Sequence, residues 1–229
     1  LKMGIQLLGG LSSIVKPEEK ILLKPNLLKK SETEKAVITH PAVMGAFALL
    51  LQEAGCKYVK AGDSCGTGTT KKIMRASGMD QVLERHQVSI VDFDKGIRRE
   101  YPQGKQAQEF MMAAQVEEAD ALINLCKMKT HQLERITGAV KNMYGCIYGF
   151  YKAKGHTQYP DAHSFARMLV DLNTYVKPRL HIMDGIVAME GNGPGSGEPV
   201  PMNVILMSRD PVALDSVFCH LIHLDPRLV

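Results

Sequence analysis

The sequence predicts an α/β fold: a largely parallel sheet flanked by helices. Two observations carry that prediction. Short apolar runs alternate with longer segments of helical spacing over most of the chain. Charged and amide residues gather just after the apolar runs, at the carboxyl ends of strands, where open parallel sheets bind their ligands. The 229 residues, 45% hydrophobic and 23% charged, supply enough apolar material for a sizeable core.

Residues 3–15 have the apolar face of a helix, weakened by Gly9 and Gly10 and ended by Pro17. KILLK, 20–24, is a short buried strand that stops at Pro25. His40-Pro41 opens a helix with proline near its first position; Ala42 to Ala54 fill it and Gly55 closes it. KYVKAG, 57–62, is the next strand. The loop DSCGTGTTKK follows, then a helical stretch over 70–86 and the strand VSIVDF, 88–93. The segment 94–118 is a small irregular excursion in which IRREY and EFMMA form short strands or an edge hairpin.

ADALINLCKM, 119–128, is a strong strand, and 132–147 reads as a helix despite Gly138 and Gly145. Residues 161–176 carry apolar side chains at 165, 168, 169, 172 and 176, the spacing of a helix that Pro178 ends. RLHIMDG is a strand, GNGPGSGEP (191–199) a loop and MNVILMS a strand. The last helix begins with Asp210 as N-cap and Pro211 at its first position. There is no internal repeat or long linker, so the reading is one α/β domain over 1–229.

The formal charge of +4 is mild, the basic residues are scattered outside one stretch, and tryptophan is absent. That argues against nucleic acid as a partner. No apolar run is long enough to span a membrane. Five cysteines, none spaced C-x-x-C, read as reduced thiols of a cytoplasmic protein rather than as a zinc or iron–sulfur site. The loop DSCGTGTTKK lacks the spacing of a P-loop or a dinucleotide fingerprint. Asp63, Asp184, Glu190, Asp210 and Asp215 could offer oxygen ligands from several loops, but Asp210 is accounted for as a cap, and no metal site is assigned.

The one basic stretch is CKMKTHQLERITGAVKNMYG, 126–145, which follows directly from the strand ALINL. Cations at a strand's carboxyl end are explained by an anionic ligand. Lys129 and Lys141 would neutralise a carboxylate or phosphate, and a lysine crowded by cations has a lowered pKa suited to base or nucleophile work. His131 would transfer a proton. The alternative, a solvated basic loop with His131 capping a helix, accounts poorly for Thr130, Thr137 and Asn142 among the cations. Lys24, Asn26, Asp63 and Ser64 lie at other strand ends and join Thr130 and Asn142 as substrate-binding candidates, with Asp184 and Glu190 as an opposing wall.

Taken in order, KPNLL, HPAV, EAG-x5-AGDS, AD-x-LINL-x-KMKTH, TGAVKNMYG, MDGIVAMEGNGPGSGEP and DPVALDS resemble the domain-of-unknown-function 362 family over about 20–225. Many members carry a ferredoxin-like 4Fe-4S module elsewhere in the chain and are labelled iron–sulfur cluster-binding proteins. The resemblance implies that this sequence is a fragment lacking the family's first strand and any C-terminal ferredoxin-like module. Any 4Fe-4S cluster would then lie outside these residues in the full-length protein, none within this chain, with an iron–sulfur electron-transfer partner. A strand followed by histidine and then a glycine-containing turn with lysine also resembles the catalytic region of the lactate racemase family, which implies chemistry at a carbon next to a carboxylate. Two functions are therefore expected: an enzyme acting on a small anionic substrate, or a non-catalytic ligand-binding or scaffold domain serving an iron–sulfur partner. A closed pocket holding His131 and Lys141 together would favour the first, and an exposed face with the two splayed apart the second.

Overall fold

The computed structural model describes residues 1–229. The strands are β1 (Lys20–Pro25), β2 (Tyr58–Ala61), β3 (Ser89–Ile90), β4 (Gly96–Glu100), β5 (Glu109–Ala113), β6 (Ala121–His131), β7 (Arg135–Thr137), β8 (Leu180–Glu190) and β9 (Glu198–Ser208). The helices are α1 (Lys2–Leu7), α2 (Pro41–Glu53), α3 (Thr70–Ala76), α4 (Met79–Glu84), α5 (Ala114–Glu117), α6 (Ala139–Asn142), α7 (Tyr151–Gln158), α8 (Ala162–Val176) and α9 (Pro211–Leu221).

Seven strands form one sheet in the order β3-β2-β1-β6-β8-β9, with β7 paired to the far end of β6. The first five on that path run parallel, while β9 and β7 are antiparallel to their neighbours. The fold is thus α/β with a mostly parallel sheet. Both faces of the central strands are covered, which is why β1 and the first half of β6 are continuous apolar runs rather than alternating ones.

One face packs Ile21, Leu23, Ile123 and Leu125 against α2, with Phe47 and Leu51 fully buried. The other face sets Leu22 and Leu122 against α8 through Phe165, Leu169 and Leu172. Each such side chain contributes roughly 1.5–3 kcal/mol by leaving water. A third cluster seats Leu214 and Phe218 of α9 on Cys126, Met128 and Met183, beyond the sheet's centre.

Helix α2 starts as its sequence dictates: Pro41 is the first helical residue, and the His40 ring nitrogen Nδ1 accepts the N–H of Ala42 at 3.1 Å. The excursion at 94–118 contains the expected hairpin, β4–β5, whose strands pair antiparallel. Three segments differ from expectation. Gly9 and Gly10 both take positive φ, so α1 ends at Leu7 instead of running to 15. The helix over 70–86 is two helices, broken where Gly78 adopts φ of 71°.

The largest difference is at 132–147. The strand β6 runs on to His131 and doubles back through β7, and only Ala139–Asn142 are α-helical before a 3-10 turn. His131 Nδ1 accepts the N–H groups of Leu133 and Glu134 at 3.1 and 3.2 Å, which closes a turn. Arg135, at φ of 61°, completes the reversal.

The long strands β6 and β8 are stapled deep in the fold by Lys127 and Asp184. They face each other across the register, with Nζ to Oδ2 at 2.7 Å and both side chains essentially without exposure. Asp184 also accepts the backbone N–H groups of His40 and Ile186, so both of its oxygens are engaged. Removing one member leaves the other charged and unpaired. Asp184→Ala is therefore expected to cost roughly 3–5 kcal/mol, and Lys127→Met with Asp184→Leu considerably less. Denaturant unfolding of the single and double variants measures both; equal losses would contradict the pairing.

Candidate active site

At the carboxyl ends of β1, β2 and β6 a cavity of about 590 Å³ opens between the sheet and α7. Lys24, Asn26, Asp63, Ser64, Lys129, His131, Lys141 and Asn142 all line it. Residues as far apart in sequence as Lys24 and Asn142 meet there because parallel strands deliver their ends to one edge.

Three expected residues lie elsewhere. Thr130 alternates to the opposite side of β6 from Lys129 and His131, and its hydroxyl donates to Gly191 O at 3.0 Å. Asp184 is consumed by Lys127 in the interior. Glu190 is exposed at the end of β8 and does not border the cavity. Neither carboxylate forms a wall.

Lys24 and Lys129 are shielded from water. Lys24 is fully buried; its Nζ lies 2.8 Å from Asp63 Oδ1 and donates to Pro25 O. Asp63 Oδ2 accepts the N–H of Leu27 at 2.8 Å. Lys129, 1% exposed, has no carboxylate partner and donates to Val37 O at 2.8 Å and Pro194 O at 3.1 Å. Burial, reinforced by the charges of Lys141 and Lys127, holds its pKa well below that of a free lysine.

Lys141 differs from both. Its ammonium makes no hydrogen bond within the protein and lies 5.8 Å from the centre of the Phe165 ring. Burial lowers its pKa from 10.5 to about 8, against an opposing pull from Glu134 and with further lowering by Lys152 and Lys24. Near neutrality it is a cation poised to become an amine.

His131 is neutral: burial, then the charges of Lys141, Lys129 and His156, lower its pKa to about 3. Because its Nδ1 accepts two backbone N–H groups, the ring proton sits on Nε2. In this state its Nε2–H is a hydrogen-bond donor.

The short helix α6 that carries Lys141 and Asn142 is fixed from outside its own segment. Asp215 of α9 accepts the N–H groups of Ala139 and Val140 at 2.6 and 2.9 Å, capping α6 from across the fold. Burial pushes this carboxyl up to about 7, against those two hydrogen bonds. The glycines of the same stretch are demanded by contact. A Cβ on Gly138 would fall 2.1 Å from Asp215 Oδ1, and one on Gly145 2.0 Å from Asp63 Oδ1.

Sequence reasoning missed Lys152 and His156, which reach the cavity from α7. Lys152 Nζ donates to Ser64 O and, at 2.7 Å, to Cys65 O. Burial lowers the pKa of both residues. The available signal was their i, i+4 spacing, which puts them on one helix face. A larger groove of about 860 Å³ lies between the β4–β5 hairpin and α7. Its charges are mixed in sign, Arg98, Lys105 and Lys154 against Glu100 and Glu109, and it gathers no comparable set of buried ionisable groups.

The family model for the domain of unknown function DUF362 matches residues 21–220. The chain belongs to the DUF362 family. This DUF362 chain is 36% identical over 230 residues to a thylakoid-associated protein of Synechocystis sp., a match covering all of this chain and 71% of that protein. Its fold is similar to that of the lactate racemase apoprotein from Thermoanaerobacterium thermosaccharolyticum. The TM-score is 0.64 over 93% of this chain and 51% of that one, at 12% identity. The DUF362 chain therefore spans about half the length of that enzyme, and the likeness is one of fold.

Cys126, Cys146 and Cys219 are buried in apolar surroundings, burial pushes all five thiols up, and no three His, Cys, Asp or Glu side chains converge as metal ligands. No helix is long and apolar enough to cross a membrane.

The lowered pKa of Lys141 sets a pH dependence of stability. In the fold Lys141 binds its proton more weakly than in the unfolded chain, so its charge costs stability below about pH 8. That cost fades as pH rises from about 8 towards 10.5. Lys141→Met is expected to raise the melting temperature at neutral pH, with the gain shrinking across this window. Thermal melts of both proteins over that range measure it, and a gain that grows with pH would contradict the assignment.

Proposed function

We propose that the chain is an enzyme domain that binds a small anion, a carboxylate or a phosphate, in this cavity and uses Lys141 as the group that accepts a proton from it. The observation that carries the reading is the unpartnered ammonium of Lys141, facing a cavity whose other lysines are already engaged. Lys24 is balanced by Asp63, while Lys152, held by carbonyl oxygens, and Lys141 have no carboxylate partner. The cavity therefore has an excess of positive charge in a poorly solvated space, where an anion gains most.

Within this reading the residues divide the work. Lys152 supplies positive potential, Lys129 is a buried donor held by carbonyl oxygens, and Asn26 and Asn142 orient the ligand. Lys141, in its amine form, takes the proton. The Nε2–H of His131 donates to the ligand oxygen on which negative charge grows, as a preorganised donor in a site of this kind does. A redox link to a 4Fe-4S module in the full-length protein rests on the family resemblance and would involve residues outside this chain. The free state of all five cysteines supports the cytoplasm as the place of action.

Lys141→Met tests the reading, because methionine nearly matches the aliphatic stem and removes only the amine. Calorimetric titration with acetate and inorganic phosphate is expected to show saturable binding to the parent chain, with a loss of roughly 2–5 kcal/mol in the variant. Affinity in the parent chain is expected to fall as pH rises through about 8, where Lys141 loses its proton. Unchanged affinity in a folded Lys141→Met protein would remove Lys141 from the site.

A further inference from the structure

The floor of the cavity carries a hydrogen-bond chain whose direction is fixed. Asn26 Nδ2 donates to Asn142 Oδ1 at 2.9 Å, Asn142 Nδ2 donates to Asn124 Oδ1 at 2.7 Å, and Asn124 Nδ2 meets His181 Nδ1 at 2.9 Å. Backbone carbonyls pin the two inner amides. Asn124 Nδ2 also donates to Ala139 O at 2.9 Å, and Asn142 Nδ2 faces Pro25 O at 3.4 Å, so neither amide can be turned without setting oxygen against oxygen. His181 must then accept at Nδ1. It is completely buried, and burial holds it neutral with a pKa lowered to about 4.

The chain of donors has a consequence at its cavity end. With its NH₂ committed to Asn142, Asn26 is left with a buried carbonyl oxygen, Oδ1, that has no partner. Thr137 Oγ1 is a second buried polar atom without a partner, and both residues line the same cavity. An unmet acceptor in such a place is costly, and a ligand donor would relieve that cost.

We propose that the ligand of this cavity is an anion that also bears an O–H or N–H donor, and that His181 is the positioning residue that fixes the acceptor awaiting it. The proposal rests on the reading of the cavity as an anion site and narrows the class of anion. Donor-free anions leave Asn26 Oδ1 unmet; hydroxylated or protonated ones satisfy it. His181 touches no ligand. It acts by accepting from Asn124, which holds Asn142 and then Asn26 in one orientation.

Two matched pairs of probes test this on the intact chain: inorganic phosphate against sulfate, and glycolate against acetate. At neutral pH the first of each pair carries an O–H and the second does not. Calorimetry is expected to show at least about tenfold tighter binding of the hydroxylated member in both pairs, because sites built to hydrogen-bond a hydroxyl discriminate strongly against its absence. His181→Leu, which removes the acceptor, should reduce this preference to within about threefold, the range left when a single polar contact loses its orientation. His181→Asn places an amide oxygen near the position of Nδ1 and should retain it. Equal affinity within both pairs in the parent chain overturns the proposal while leaving anion binding intact. Absence of binding by all four probes overturns both readings. If His181→Leu does not fold, the parent chain and His181→Asn decide: a folded His181→Asn protein without the preference removes His181 from its role.

Discussion

Burying a lysine at the end of a strand is expensive, and the way each one is compensated organises this protein. The effective penalty for taking an ammonium out of water is several kcal/mol. Lys24 meets it with Asp63, Lys127 with Asp184, and Lys129 with two backbone carbonyls. These requirements fix where β1, β2, β6 and β8 sit relative to one another at their carboxyl ends, and they place Asp63 and Asp184 where no other residue type would serve. Lys141 stands outside this scheme. Half-buried at the edge of the same cavity, it makes no hydrogen bond within the protein, so the fold leaves this cation without a protein partner.

The rest of the local structure keeps that side chain in place. A four-residue helix is too short to hold itself, since helix nucleation is unfavourable and only tertiary contacts sustain such a piece. Asp215 caps it from α9, Gly138 lets that carboxylate approach, and Gly145 lets the chain pass over the Lys24–Asp63 pair. The sequence elements TGAVKNMYG and DPVALDS, far apart in the chain, are thus two halves of one support. Asp210 and Asp215, five residues apart, do different work: the first caps its own helix and the second caps its neighbour's.

What could be read from the sequence was the part governed by local rules. Apolar runs bounded by proline or glycine gave the six principal strands, and Pro41 and Pro211 marked true helix starts. The gathering of Lys24, Asp63, Lys129, His131 and Lys141 at one edge followed from parallel topology alone. The failures lay where tertiary contacts override local preference. Residues 132–147 looked helical by composition, yet Arg135 takes a positive φ and residues 135–137 pair back onto β6. The two hydrogen bonds at His131 Nδ1 leave Nε2 as its donor atom, and periodicity carries no trace of that. Asp184 and Glu190 looked like a site wall because both end strands. Only the register of β6 against β8 shows that Asp184 belongs to Lys127.

The central claim is that an anion occupies the space beside Lys141, and anomalous diffraction from crystals soaked in arsenate addresses it most directly. Arsenate scatters strongly enough to be located without assumptions about pose, and like phosphate it carries both negative charge and an O–H. The account predicts an anomalous peak inside the cavity lined by Lys129, His131 and Lys141, within hydrogen-bonding distance of Lys141 Nζ. A cavity without arsenate, or arsenate bound only at surface lysines, would contradict it.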